Sequence, residues 1–277
     1  LSAFPQAFDE LELSKIAVGY TFADAPAWSP DQYLIFSDVP ANRIWKLGAD
    51  KKPELIRDRA NGPSCNVFDK NGLLYTCESR GRRVIRMDKA GKVEVLAETF
   101  EGKRLNGPND LVVRKDGHAF FTDPAFGTQA AARELDFNGV YHIPPKGPID
   151  LIAKFKGRPT GIALSLDGKT LYVAIADERS VYVFDVDGKG AATKQRVALT
   201  KIDGPPDGLK LDEKGNLYVA ANNLDIYSPQ GKLIRSVNLL ETPSNLVFGD
   251  ADLLSLYVTA QSVIYKIRVP VKGAVQH

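Results

Sequence analysis

The stretch Arg104-Leu-Asn-Gly-Pro-Asn-Asp-Leu-Val-Val-Arg-Lys-Asp-Gly117, running on into Phe120-Phe-Thr-Asp-Pro-Ala-Phe-Gly127, decides the fold. It reads as a polar turn at Gly107-Pro108-Asn109-Asp110, a short strand at Leu111-Val112-Val113, an Asp-Gly bend and a second strand over residues 119–122. An Asp-Gly pair between two apolar runs is a strong hairpin signal. The unit gains its weight by recurring along the whole chain.

Upstream, the same turn–strand–turn–strand unit begins at Asp24-Ala-Pro-Ala-Trp28 and at Pro63-Ser-Cys-Asn-Val-Phe68. Downstream it begins at Pro159-Thr-Gly-Ile-Ala-Leu164, at Pro206-Asp-Gly-Leu-Lys-Leu211 and at Pro243-Ser-Asn-Leu-Val-Phe248. The equivalent positions are Asp24, Ser64, Asn109, Thr160, Asp207 and Ser244, separated by 40, 45, 51, 47 and 37 residues. Six equal units of this chain would average about 46 residues, the period of a propeller blade. Each unit holds a third strand-like run, such as Arg43-Ile-Trp-Lys-Leu47, and several hold a fourth, such as Val93-Glu-Val-Leu96. One blade cannot bury both of its faces, so blades must stack in a ring. No helical pattern of useful length competes. The sequence therefore predicts an all-β six-bladed β-propeller, four antiparallel strands per blade around a central channel, as one domain over residues 1–277. Residues 11–18 are expected to pair with the last blade and close the ring. The Tyr and Val residues of the second strands are expected to fill the space between blades.

Composition agrees and excludes alternatives. The 277 residues are 44% hydrophobic, ample for a core, and the net charge of +2 offers no basic field for nucleic acid. No apolar run approaches a membrane span. The partner expected is a small-molecule substrate, with no nucleic acid and no membrane. The chain opens on Leu1 rather than Met. Removal of an export signal, in a periplasmic or secreted protein, and simple trimming both fit that start. Cys65 and Cys77 fall on two strands of one hairpin and read as buried free thiols, a disulfide being the minor alternative. His118, His142 and His277 are scattered, which argues against a histidine triad or a zinc site.

In a propeller the six equivalent positions face one another at one mouth of the channel. Here they are two carboxylates, one carboxamide and three hydroxyls, donors that suit a hard cation such as Ca²⁺ or Mg²⁺, or Mn²⁺. Two acids across a narrow channel repel unless a cation lies between them. The same residue types are also ordinary turn formers. The ring alone leaves a cation site and six plain turns both open.

Asn106-Gly-Pro-Asn-Asp-Leu-Val-Val, Phe121-Thr-Asp-Pro-Ala-Phe-Gly127, Phe36-Ser-Asp-Val-Pro-Ala-Asn-Arg43 and Arg158-Pro-Thr-Gly-Ile-Ala-Leu-Ser165 resemble the gluconolactonase/senescence-marker-protein family, which includes regucalcin and bacterial sugar lactonases. The resemblance runs from about Phe22 to Arg268. It implies one divalent metal in the channel, Ca²⁺ first, with Mg²⁺, Mn²⁺ or Zn²⁺ as alternatives. By position, it implies Asp24, Asn109, Asp207 and Thr160 as metal ligands. The family's Glu falls on Asp24, its following Gly on Ala25, and one of its Asn ligands on Thr160, so the chain departs from the pattern at these places.

The resemblance further implies lactone hydrolysis, the metal polarising the carbonyl and Asp207, the catalytic residue, orienting or deprotonating water. Arg104, Asn106 and Asn222 are the candidate substrate contacts; a solvated Arg and plain turn Asn residues are the competing reading. Asp110 is expected to hold its turn. The long connection over residues 124–138 is placed to form a lid. Two other functions stay open: a related metal-dependent hydrolase acting on a phosphoester or an unusual cyclic ester, and a non-catalytic binding propeller.

Overall fold

In a computed structural model of the chain, which describes Phe8 and residues 11–275, six four-stranded antiparallel sheets stand around a central channel. Blade 1 runs Ala23–Trp28, Leu34–Asp38, Arg43–Leu47 and Pro53–Arg57. Blade 2 runs Pro63–Phe68, Leu74–Glu78, Arg83–Met87 and Val93–Ala97. Blade 3 runs Leu111–Val113, Ala119–Asp123, Asn138–Ile143 and Asp150–Phe155. Blade 4 runs Pro159–Leu164, Thr170–Ile175, Ser180–Val186 and Ala192–Leu199. Blade 5 runs Leu209–Leu211, Leu217–Ala220, Leu224–Tyr227 and Leu233–Val237. Blade 6 takes Asn245–Gly249, Ser255–Ala260 and Val263–Arg268 from the end of the chain, and Leu13–Val18 from its start as the outer strand. That last pairing, Leu13 opposite Ile267 and Val18 opposite Val263, closes the ring as the sequence predicts.

Burial follows strand order. The inner strands of blades 1 and 4 are buried along their whole length, while the outer strand Pro53–Arg57 is almost fully exposed. The core is divided among six apolar clusters, one at each seam between neighbouring blades. Tyr75, Val173, Tyr218, Val219 and Tyr257 of the second strands sit in them, where period-two alternation turns every other side chain toward the next blade. At the seam that joins the last blade to the first, Trp28 stacks on Tyr257 at 5.1 Å.

Short elements also lie outside the six sheets. A two-stranded ribbon, Thr99–Phe100 with Lys103–Arg104, precedes blade 3. The segment 124–138 carries a five-residue helix, Gly127–Ala131, with no buried side chain. Arg82 ties this segment to blade 2 through the Ala132 carbonyl and Glu134, and Arg158 of blade 4 lies over the Phe126 ring at 4.7 Å.

At the opposite end of the channel the tail crosses over. The Ala274 N–H donates to the Leu211 carbonyl at 2.8 Å, and Ala274 and Val275 help to line a channel cavity of about 80 Å³. Gly273 is required there, because a Cβ would fall 2.2 Å from the Phe248 ring. No helix among the described residues is long and apolar enough to cross a membrane.

Candidate functional site

The six inner strands start at one mouth of the channel, and the six ring positions fall within two residues of those starts. Glycine follows two of them for a physical reason. A Cβ at Gly161 would lie 2.0 Å from the Asp207 carbonyl oxygen, and one at Gly208 would lie 2.3 Å from the Asn245 Oδ1. Neighbouring inner strands pass too closely there for any side chain. Blade 1 places Ala25 at the matching position, with φ at +53°, in the left-handed region that glycine prefers.

The ring alternates in kind around its circumference. Blades 1, 3 and 5 contribute Asp24, Asn109 and Asp207; blades 2, 4 and 6 contribute the hydroxyls of Ser64, Thr160 and Ser244. Each hydroxyl donates to the carbonyl just before the ring residue of the next blade. Ser64 reaches Pro108 at 2.7 Å, Thr160 reaches Pro206 at 2.8 Å, and Ser244 reaches Ala23 at 2.8 Å. Even blades thus brace odd ones.

Asp110 adds a further tie, as its turn-holding role predicts. Its carboxylate accepts the Leu111 N–H at 2.9 Å and, across the seam, the Ile162 N–H of blade 4 at 3.1 Å.

The acids are electrostatically stressed. Burial pushes the Asp24 carboxyl up to about 7, with the charge of Asp110 adding to it. The Ala25 N–H at 2.7 Å, the Ser244 hydroxyl and the charge of Lys210 pull it back. Asp207 is pushed well above the carboxylate range, by burial first and then by Asp24 and Asp110. Its backbone N–H is held by the Ala220 carbonyl at 2.7 Å, and no hydrogen bond reaches its carboxylate among the described residues. Asn109 is half-buried and fixed through its backbone N–H to the Thr122 carbonyl at 2.8 Å. Its carboxamide is engaged by no neighbour among the described residues.

Three carboxylates and the Lys210 ammonium leave two negative charges when all are ionised, which one divalent cation would cancel. The donors available are all oxygens, so the set fits a hard cation. Among the described residues no three His, Cys, Asp or Glu side chains converge as a metal cluster. An ion held here would rest on two carboxylates, the Asn109 carboxamide and water.

The substrate candidates are placed differently. Arg104 is exposed, its guanidinium on the Gly81 carbonyl at 3.2 Å and its backbone N–H on Glu134 at 2.8 Å. Asn106 has no exposed surface. Its Nδ2 donates to the carbonyls of Asp123 and Phe137, and its Oδ1 is buried without a partner. This side chain fixes the loop that leads to Asn109. Asn222 is exposed and donates to Asp203 at 3.1 Å, beside Gly204 and ahead of Asp207.

Sequence reasoning missed a set of loop clamps. Asp38 and Asp123 close the second strands of blades 1 and 3, Asp177 stands in the 3-10 turn just past that of blade 4, and all three accept backbone N–H groups from the segments entering the ring. The Asp123 carboxyl is pushed up to about 7 by burial, although the N–H groups of Asn106 and Gly107 and the charge of Arg82 favour its ionised form. The Ser37-Asp38 and Thr122-Asp123 pairs at strand ends were the available signal for two of them; Asp177 follows Ala176 and carries no such pair. Two of the histidines lie closer together than their spacing in the chain suggests. His118 and His142, scattered in sequence, meet at 2.7 Å at the end of blade 3 remote from the ring, and His142 contacts Asp150. His277 lies outside the described residues. Cys65 and Cys77 face each other across one hairpin as buried free thiols.

The model of the SMP-30/Gluconolactonase/LRE-like region matches residues 22–262, all six inner strands included. The chain belongs to the SMP-30/gluconolactonase/LRE-like family. Within it, a gluconolactonase of Zymomonas mobilis is 28% identical, covering 93% of this chain and 81% of its own. A solved gluconolactonase of Xanthomonas campestris superposes with a TM-score of 0.88 at 30% identity, covering 97% and 93% of the two chains. A calcium-binding regucalcin of Agrobacterium tumefaciens, at 18% identity and a TM-score of 0.79, shares the fold over 94% of each chain.

Proposed function

We propose that the protein is a divalent-metal-dependent lactonase that opens a sugar-type or other small lactone by attack of water. The observation that supports the reading most is electrostatic: Asp24 and Asp207, from alternate blades, are both raised by burial and Asp207 feels the charge of Asp24, while the Asn109 carboxamide of the blade between them is left unengaged. Membership of a family that includes gluconolactonases supports the same reaction.

Asp24, Asn109 and Asp207 would hold the ion, Ca²⁺ being the first to try because every donor is oxygen. When bound, the cation would polarise the lactone carbonyl and offset the charge that grows on its oxygen. Thr160 commits its proton to Pro206 but keeps a lone pair for a weaker contact. Asp207 orients the attacking water and accepts its proton; burial raises its basicity and suits it to that task. Arg104 at the surface is suited to a hydroxyl or carboxylate of the substrate, and the exposed Asn222 is the second proposed contact. Asn106 acts through the loop rather than by touching substrate.

The test is initial-rate hydrolysis of aldonolactones and simple γ- and δ-lactones by wild type and Asp207→Asn. Wild type should turn over at least one class, and the variant should lose at least about a hundredfold in kcat. Full activity in Asp207→Asn would remove the site assignment. Inactivity of wild type on every lactone would move the reaction to another bond.

A further inference from the structure

Lys210 enters the charge balance of the ring but has no role in the proposed reaction. It lies three residues beyond Asp207 on the inner strand of blade 5, half-buried, and lines the channel cavity beneath the ring together with Asn66 of blade 2. Its Nζ donates to the Leu209 carbonyl at 2.9 Å, and it forms no ion pair among the described residues. A half-buried ammonium held by one carbonyl is costly unless nearby negative charge offsets it. That charge is present. The cavity that Lys210 lines is walled also by Pro26 and Ala27, just beyond Asp24, and by Leu111, next to Asp110, and its charge favours the ionised form of Asp24.

We propose that Lys210 is an internal counter-ion of the ring, a positioning residue that carries part of the cation's charge and thereby limits how tightly a divalent ion is held. The inference rests on the reading of the ring as a cation site. Asp24, Asp110 and Asp207 are the acids concerned, and Lys210 lines the cavity three residues along the inner strand from Asp207. With no ion bound, its fixed positive charge relieves their mutual repulsion. With an ion bound, the same charge opposes it. Removing Lys210 therefore acts in opposite directions on the two states, which loss of ordinary packing does not do.

The experiment titrates CaCl₂ into chelated wild type, Lys210→Met and Lys210→Arg by calorimetry and follows thermal unfolding with and without the ion. Lys210→Met should bind Ca²⁺ about tenfold more tightly, from the loss of one like charge at short range in a poorly screened site. Its Tm should fall below that of wild type without Ca²⁺ and recover when Ca²⁺ is added. Lys210→Arg should keep the wild-type Kd within about twofold, since it keeps the charge. Lys210→Gln repeats the measurement with a polar side chain if Lys210→Met folds poorly. Equal or weaker Ca²⁺ binding by both neutral variants, in protein that binds the ion, would overturn the counter-ion role alone. Absence of binding in wild type for Ca²⁺, Mg²⁺ and Mn²⁺ would overturn the cation site itself and the counter-ion role with it.

Discussion

The Thr160 hydroxyl donates to the Pro206 carbonyl across the seam between blades 4 and 5, at 2.8 Å, and so fixes the residue that precedes Asp207. Ser64 and Ser244 make the same bond to the residues preceding Asn109 and Asp24. Each ring residue of an odd blade is thus set by the blade before it, and the mouth behaves as one braced unit.

Thr160→Val keeps shape and removes the bond, leaving a buried carbonyl unsatisfied. It should cost about 1–3 kcal/mol in a urea titration and weaken divalent binding as Asp207 loosens. Thr160→Ser should restore the divalent affinity while recovering only part of the stability, because the hydroxyl returns and the methyl does not. Equal affinities in Thr160→Val and wild type would show that Pro206 needs no brace.

Ala25 occupies a left-handed conformation for which its Cβ is unsuited. The local strain is roughly 1 kcal/mol, partly offset in an Ala25→Gly variant by the freer unfolded chain. Ala25→Gly should stabilise the protein by about 0.5 kcal/mol, read as a higher urea midpoint at unchanged m. A lower midpoint would mean that contacts of the buried Ala25 methyl outweigh the strain.

The raised carboxyls give stability a defined pH dependence without divalent ions. Asp24 and Asp123 titrate near 7 in the folded protein and near the ordinary carboxylate value once unfolded, and Asp207 shifts the same way. Between those values the folded state binds more protons than the unfolded one, so stability falls as pH rises. Chelated protein should melt several degrees lower at pH 8 than at pH 5. Asp207→Asn should flatten part of that slope and raise the Tm of chelated protein at pH 8. A Tm that rises from pH 5 to pH 8 would contradict the placement of these acids.

The ring and its closure were legible because each depends on a local pattern: a repeated turn–strand unit with its glycine, and an apolar run left over at the start of the chain. The four positions Asp24, Asn109, Thr160 and Asp207 could be aligned for the same reason. What could not be read is which neighbour each side chain uses. Thr160 as a brace, Asp110 bonded to Ile162, and Asn106 wholly buried all depend on contacts between segments 17 to 52 residues apart, which no local spacing encodes. Lys210 escaped notice because a lysine in a strand ordinarily points to solvent, and only the channel makes it internal. The meeting of His118 and His142 was hidden likewise, since the 124–138 insertion lengthens the hairpin that joins their strands.

The central claim is that the ring works with a divalent cation. The most direct measurement is lactone hydrolysis by a pH-indicator assay, on protein treated with chelator and again after adding Ca²⁺, Mg²⁺, Mn²⁺ or Zn²⁺. Activity should vanish on chelation and return with one of these ions, while Asp24→Ala, Asn109→Ala and Asp207→Asn, all folded, should not recover. Full activity in chelated protein with no bound ion would contradict the claim.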